Sequence, residues 1–336
     1  MRTPEPPRCT TSWLAGDPVT GFDIGVFVLL VALGPCAWTC WRGTPEDRMV
    51  ALNLTGTVQA LVMLLVAVAS GEAALASLGS KAGFIGKVAH DQLGSVFRHD
   101  IRAAGVTFET APLVKGVPTA RCMILITPDA QRTMNTYLGA CVYLSPEDLD
   151  EEMISGAQVT YLEGYLFDRD NAKRAFYKAA QMAHKAKRKV ALSLSDPFCV
   201  DRHREEFLDF VKDHVDILFA NEAEIMSLYK ASDFEGAVAA ARVQSELCAI
   251  TRSEKGSVIV SSGETIEIRA EPVAKVVDTT GAGDLYAAGF LHGYTRQRGL
   301  KTCGRMASVA AGEIIAQVGA RPQRSLAELL KEKDAA

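Results

Sequence analysis

The sequence contains no Cys-x-x-Cys pair, no Gly-x-x-x-x-Gly-Lys-[Ser/Thr] stretch and no surplus of basic residues. Each absence removes a class of function. The eight cysteines are Cys9, Cys36, Cys40, Cys122, Cys141, Cys199, Cys248 and Cys303. Their spacing suits neither a zinc ribbon nor a dithiol redox site, so they read as free thiols of a reducing compartment. The six histidines show no metal-ligand spacing either. Without the glycine-rich loop that ends in Lys-Ser/Thr, a standard P-loop is excluded. A net charge of -4 and a pI near 5.9 leave no basic face for nucleic acid.

Tryptophan is absent after residue 41. All three, Trp13, Trp38 and Trp41, lie in the first 41 residues together with three of the eight cysteines. Such a shift in composition marks a segment of another kind. Long apolar runs are also scarce. Ile24 to Cys40 is about 17 residues, at the short limit for a membrane span, and contains Gly34-Pro35; Val58 to Ala69 is shorter, and the polar stretch Arg42 to Arg48 divides the two. Asp17 and Asp23 stand where a signal peptide would carry positive charge. Three readings of residues 1–75 stay open: core strands and a helix of a first domain, a translation from a shifted reading frame or mis-assigned start, or a membrane hairpin.

What the chain does have, at 336 residues and 48% hydrophobic content, is enough apolar surface for one large core. Strand-like and helix-like stretches alternate. Val159-Thr160-Tyr161-Leu162 precedes a helical pattern over Asn171 to Lys187; Val190 to Leu194 precedes Asp201 to His214; Ile217-Leu218-Phe219 precedes Asn221 to Tyr229. That rhythm predicts parallel strands with right-handed crossovers and helices on both faces, where ligands bind outside the strands' carboxyl ends. Those ends read Glu163-Gly164-Tyr165, Ser195-Asp196-Pro197 and Asn221-Glu222-Ala223-Glu224. Asn221 with Glu224 three residues on is a capping-box pattern, worth about 1 kcal/mol to a helix. Further on, Leu247 to Thr251 and Ser257 to Val260 read as strands joined by a turn at Gly256, and Lys301 to Val318 as a helix that Ala307, Ala310 and Ala311 allow to pack closely.

The most informative stretch is Val276-Val277-Asp278-Thr279-Thr280-Gly281-Ala282-Gly283-Asp284, running into Leu285-Tyr286-Ala287-Ala288-Gly289-Phe290-Leu291. It reads as a strand, a turn of small residues and a helix. Glycine at 281 and 283 lets an anion approach the unpartnered N–H groups of the helix start. A carboxylate at such an anion hole has one job that resolves its repulsion with phosphate: Asp284 takes the proton of a hydroxyl that attacks the held phosphoryl. The plain alternative is an acidic residue favouring a helix N-terminus. A dinucleotide fingerprint is the other alternative, but Tyr286 stands at its third glycine and no acidic strand end follows at the required distance.

This stretch resembles the second signature of the PfkB (ribokinase-like) family of sugar and nucleoside kinases, Asp-Thr-x-Gly-Ala-Gly-Asp followed by a helix. The resemblance implies a ribokinase-like three-layer α/β/α sandwich with a mostly parallel central sheet and a small β lid. It places Asp284 as general base and Gly281, Ala282 and Gly283 in the anion hole. From Gly79 it covers about three quarters of the chain. Gly83 to Val88, expected as a buried strand, and the helix from Asp91 to Ala104 capped by Gly105 are similar to the first signature. Val117 to Thr127 corresponds to a lid strand, with lid strands expected around 107–143 and Thr119 and Arg121 near substrate. Asn221 and Glu224 match the Asn-x-x-Glu element used near Mg²⁺ and the phosphates. Thr251 and Gly256 match the nucleotide-side pattern, with Ser253 in place of its middle glycine, and Asp278 and Thr280 correspond to residues that can help hold K⁺. The domain reading is an atypical segment 1–75 and a kinase core 76–336. Ser70-Gly71-Glu72 carries one glycine where the family has Gly-Gly-x-x-x-Asn, which leaves the acceptor site unread.

The expectation is an ATP- and Mg²⁺-dependent phosphotransferase acting on a primary hydroxyl of a nucleoside or sugar. Glu163-Gly164-Tyr165-Leu166 and Ser195-Asp196-Pro197 look most like the bacterial adenosine-kinase-like branch. The alternatives are a fructokinase or other sugar kinase, and a nucleotide-binding pseudokinase without an acceptor site. No nucleic-acid partner, no membrane and a cytoplasmic location go with this reading.

Overall fold

A computed structural model describes residues 70–127, 129–333 and 335, within a compact unit spanning Met63–Ala336. The readings of core strands, a shifted frame or a membrane hairpin for the first 75 residues therefore fall almost wholly outside the described residues. Only their end is seen, where α1 (Ser70–Ser77) crosses the boundary expected at residue 75. Among the described residues no helix is long and apolar enough to cross a membrane.

The central sheet has six strands in the order β10-β9-β8-β7-β6-β5. These are β5 (Val159–Glu163), β6 (Lys189–Ser193), β7 (Ile217–Asn221), β8 (Leu247–Thr251), β9 (Ser257–Ser261) and β10 (Thr265–Ile268). β5 to β8 run parallel, while β9 and β10 turn back antiparallel. Alternation along these strands builds two cores. Val190, Leu192, Leu218, Cys248, Ile250 and Val260 face one side. Ala191, Ile217, Phe219, Leu247, Ala249 and Ile259 face the other.

The first core is covered by α3 (Glu151–Gly156), α4 (Asp170–Lys185), α5 (Pro197–His214), α6 (Glu222–Tyr229) and α7 (Phe234–Gln244). The second is covered by α8 (Ala282–Thr295) and α9 (Leu300–Ile315). The expected three-layer sandwich is thus formed by apolar residues on both faces of nearly every strand. Phe290 of α8 is wholly buried against it, contributing about 2–3 kcal/mol. Helix ends follow the local chemistry. Asp91 caps α2 (Gln92–Ala103) by accepting from the Gly94 N–H at 2.7 Å, and Asp196 caps α5 by accepting from Phe198 and Cys199.

The lid is a separate hairpin of β3 (Arg121–Ile126) and β4 (Arg132–Tyr137), in register from Arg121↔Tyr137 to Ile126↔Arg132. It lies within the range expected for it. Two expected strands are not found. Val276-Val277 is extended but has no strand beside it; the Val277 N–H donates instead to the Ile315 carbonyl at the end of α9. Of Gly83 to Val88 only Gly83 is in a strand, where β1 (Ala82–Gly83) pairs with β2 (Val106–Thr107). Phe84 and Val88 of the second stretch pack with Phe97 and Ile101 of a helix and not within a sheet, while Val276 stays exposed.

Candidate active site

Parallel register brings the strand ends to one rim. Glu163 pairs with Ser193 across β5 and β6, and Asn221 pairs with Thr251 across β7 and β8. The start of α8 is tied to the same rim, because the Tyr286 hydroxyl donates to Ser257 Oγ at 2.7 Å and Ser257 pairs with Thr251.

The loop before α8 is built around Asp278. Its buried carboxylate accepts from the Thr280 N–H (2.9 Å) and hydroxyl (2.6 Å) through Oδ1, and from the Gly319 N–H (2.9 Å) through Oδ2. Both residues expected to help hold a monovalent cation therefore serve as a brace for the turn. That brace sets Gly281 at φ 80°, a left-handed conformation that a side chain would strain, as the residue preceding α8. A Cβ there would also come within 3.0 Å of Ala320 Cβ. Beside Gly283 there is open space, with nothing within 4 Å of where a Cβ would stand. Open space thus lies beside the first turn of α8, where the Ala282 N–H donates back to the Thr279 carbonyl and Asp284 is half-buried.

Around Asp284 stand acids that the sequence alone did not associate with it. A Cβ on Gly71, at the start of α1, would lie 3.7 Å from Asp284 Cβ. The next residue, Glu72, has its carboxyl pushed up to about 7, mainly by burial, with the charge of Asp284 adding to it. Glu163 is raised to about 8, again by burial first and then by Asp284. Like charges this close cannot all ionise. Glu163 accepts from the Tyr161 hydroxyl at 3.2 Å and, closely, from the Ser195 hydroxyl, with Ser195 itself at φ 67°. Tyr165 is 45% exposed. Its hydroxyl is held in the un-ionised form by burial and then by Asp196, Glu163, Glu224 and Asp284, which places it among the acids of both halves of the rim.

On the other half, Asn221 and Glu224 make the expected capping box. Glu224 Oε2 accepts from the Asn221 N–H (2.9 Å), Oε1 from Asn221 Nδ2 (2.6 Å), and Asn221 Oδ1 accepts from the Glu224 N–H (2.9 Å). Glu224 is buried, and its carboxyl rises to about 7 through burial, against the Asn221 N–H and with Asp196 adding charge. Thr251 ends β8 at this rim. Gly256 is a turn residue, φ 87°, where a Cβ would strike the Ile268 carbonyl at 2.0 Å; the hairpin accounts for it.

The two lid residues expected near substrate part company. Thr119 precedes β3 and is buried; its hydroxyl donates to Asp91 Oδ1 (2.6 Å), its N–H donates to Asp91 Oδ2 (2.8 Å), and its Oγ1 accepts from the Ala89 N–H (3.0 Å). It locks the cap of α2. Arg121 is exposed and lies over the Tyr137 ring, 5.1 Å from its centroid. The lid residue that does reach the loop before α8 is Arg132 of β4, whose guanidinium donates to the Thr279 hydroxyl. Nothing local in the sequence distinguishes Arg132. Only hairpin register and closure of the lid bring it there.

Comparison with known proteins agrees with this geometry. The pattern of the pfkB family of carbohydrate kinases matches residues 71–326. The 5-dehydro-2-deoxygluconokinase of Listeria monocytogenes serotype 4b (strain CLIP80459) is 27% identical over 254 residues, covering 72% of this chain and 77% of that protein. The crystal structure of adenosine kinase from Sinorhizobium meliloti is 50% identical, with a TM-score of 0.76 over 80% of this chain and 81% of the other. A probable sugar kinase from Rhizobium etli CFN 42 is 49% identical, with a TM-score of 0.77 over the same shares.

Proposed function

Because the chain belongs to the pfkB family of carbohydrate kinases, we propose that it moves the γ-phosphoryl of ATP onto a primary hydroxyl of a nucleoside, adenosine first among the acceptors. The observation that carries this reading is the pairing of Gly281 and Asp284. A left-handed glycine opens the first turn of α8 to a phosphate, and a half-buried carboxylate stands in that same turn. The amides of residues 281–284 bind the transferring phosphoryl, and Asp284 receives the proton of the attacking hydroxyl. Arg132, already at Thr279, adds a positive charge over the same loop when the lid is down.

The fit of Mg²⁺ rests on Glu224. Burial and the neighbouring charge of Asp196 raise its carboxyl to about 7, a cost of ionising in place that a nearby cation offsets. Its oxygens already accept from Asn221, so Glu224 and Asn221 would hold the ion through water. An ion held by these two residues would supply neutralisation of the charge that develops on the phosphates. Thr251 ends its strand beside Asn221 and would face the nucleotide.

Adenosine is favoured over a free sugar by the 50% identity to the Sinorhizobium meliloti adenosine kinase and by the half-exposed ring of Tyr165 between the two sets of acids, an aromatic face on which a base can lie. The test is ATP turnover with adenosine, fructose and ribose, comparing the wild type with Asp284→Asn. Turnover is expected to depend on adenosine and to fall about 10²- to 10⁴-fold in the variant. Full speed in the variant overturns the assignment of the base. A second reading, a nucleotide-binding protein with impaired transfer, is favoured by one observation: Glu72 brings a further acid up to Asp284 from α1. ATP binding with turnover that no acceptor changes would decide for it.

A further inference from the structure

Away from the rim, a cavity of about 600 Å³ lies along the outer face of α2, lined by His90, Ser95, Arg98, His99 and Arg102 over a floor of Ala89, Ala103 and Pro112. The two arginines, one helical turn apart, are oriented mainly by main-chain carbonyls. Arg98 Nη1 donates to the Thr110 carbonyl at 2.6 Å, and its guanidinium stands 4.9 Å from the centre of the Phe108 ring. Arg102 donates to the Phe108 carbonyl through Nε (3.0 Å) and Nη2 (2.6 Å). One short stretch, 108–110, therefore holds both forks. Among the described residues no carboxylate pairs with Arg98, and Glu109, 2.8 Å from Arg102 Nη2, is the acid that touches the pair. Asp100 on the same helix is engaged elsewhere, with His99 at 3.2 Å and Arg321 at 3.7 Å.

We infer that this cavity is an anion site, separate from the phosphoryl loop, which takes a phosphate group, either inorganic or carried on a small organic body. Carbonyls fix a guanidinium without cancelling its charge. Two such forks offer donors to several oxygens of one tetrahedral anion at little ordering cost. The volume is that of a small-molecule pocket, and the apolar floor accommodates a body behind the phosphate. Ser95, whose hydroxyl donates to the Asp91 carbonyl at 2.9 Å, brings a small side chain to the mouth, so the entrance is not blocked.

The experiment titrates the full chain with inorganic phosphate and, separately, with ribose 5-phosphate by calorimetry. The phosphoryl loop is kept filled throughout by a non-hydrolysable ATP analogue with Mg²⁺. One further equivalent of anion is expected to bind, and Arg98→Gln to weaken it about 10-fold. Ser95→Glu, which leaves the arginines and their carbonyl contacts in place, is expected to weaken it comparably with an unchanged melting temperature. Tighter binding of the sugar phosphate assigns an organic ligand, and equal binding assigns the bare anion. Loss of the second equivalent once the analogue is bound, or both variants binding like the wild type, overturns the inference. Neither result depends on which acceptor is phosphorylated.

Discussion

The two halves of the rim are held by different means. On the half proposed to hold phosphate, the phosphoryl side, Asp278 accepts from the nearby Thr280 N–H and from the distant Gly319 N–H, while Asn221 and Glu224 cap each other's main-chain N–H groups. On the half proposed for the acceptor, the acceptor side, Glu163 of β5 accepts from the Tyr161 and Ser195 hydroxyls, and Glu72 of α1 adds a further buried acid whose proton is held more tightly by burial and by the charge of Asp284. The first arrangement is set by main-chain donors, mostly close in sequence, with Gly319 joining from 41 positions away. The second crowds acids together, and its charge state depends on pH. Main-chain bracing and a titratable cluster of acids are thus separate properties of one rim.

The sharpest way to break this comparison is Gly281→Ala. A Cβ at φ 80° and against Ala320 is expected to shift the amides and lower kcat about 10²-fold, with a smaller effect on melting. If kcat survives, the backbone of the loop does not hold the phosphoryl. Arg132→Gln tests the one link between lid and loop. About a 10-fold loss in kcat/KM is expected with stability unchanged, because the Thr279 contact is exposed.

Glu163→Gln addresses the acceptor side. The ordinary value of this carboxyl is 4.5 and the folded one is about 8. Below 4.5 both folded and unfolded chains keep the proton, so the group costs nothing. As pH rises from 4.5 to 8 the unfolded chain releases it first, and the wild type loses stability. The variant lacks that loss, so its melting temperature should gain on the wild type's between pH 5 and pH 9. Parallel curves would show that Glu163 ionises freely. The smallest effect is expected from Asn221→Ala, which removes the cap of α6 and about 1 kcal/mol by denaturant unfolding. A much larger loss would mean that the phosphoryl side also depends on distant contacts.

This division matches what was legible in the residues. The capping box at Asn221 and Glu224, the cap at Asp91, the left-handed Gly281 and the lid strand at Cys122 were all readable because each is a short-range requirement of the backbone. Val276-Val277 misled for the opposite reason: apolar character does not say whether the neighbour is a strand or a helix end. Thr119 carried a resemblance to a lid residue, yet a partner 28 positions away, Asp91, takes both its hydroxyl and its N–H. Glu163 was legible as a strand end, but its partner Ser195 was not, and Arg132 gave no local sign at all, since Ser195 and Thr279 are brought to them by sheet register and by the fold of the hairpin.

By itself, then, the order of residues determined the three-layer sheet, the helix starts and the glycine turn before α8, because each follows from periodicity or from φ/ψ demands within a few positions. Tertiary structure alone decided which acids gather at Asp284, which lid residue touches the loop, and where the paired arginines of α2 open a second cavity. Those outcomes depend on burial and on separations between distant segments, and neither is a property of any stretch taken alone.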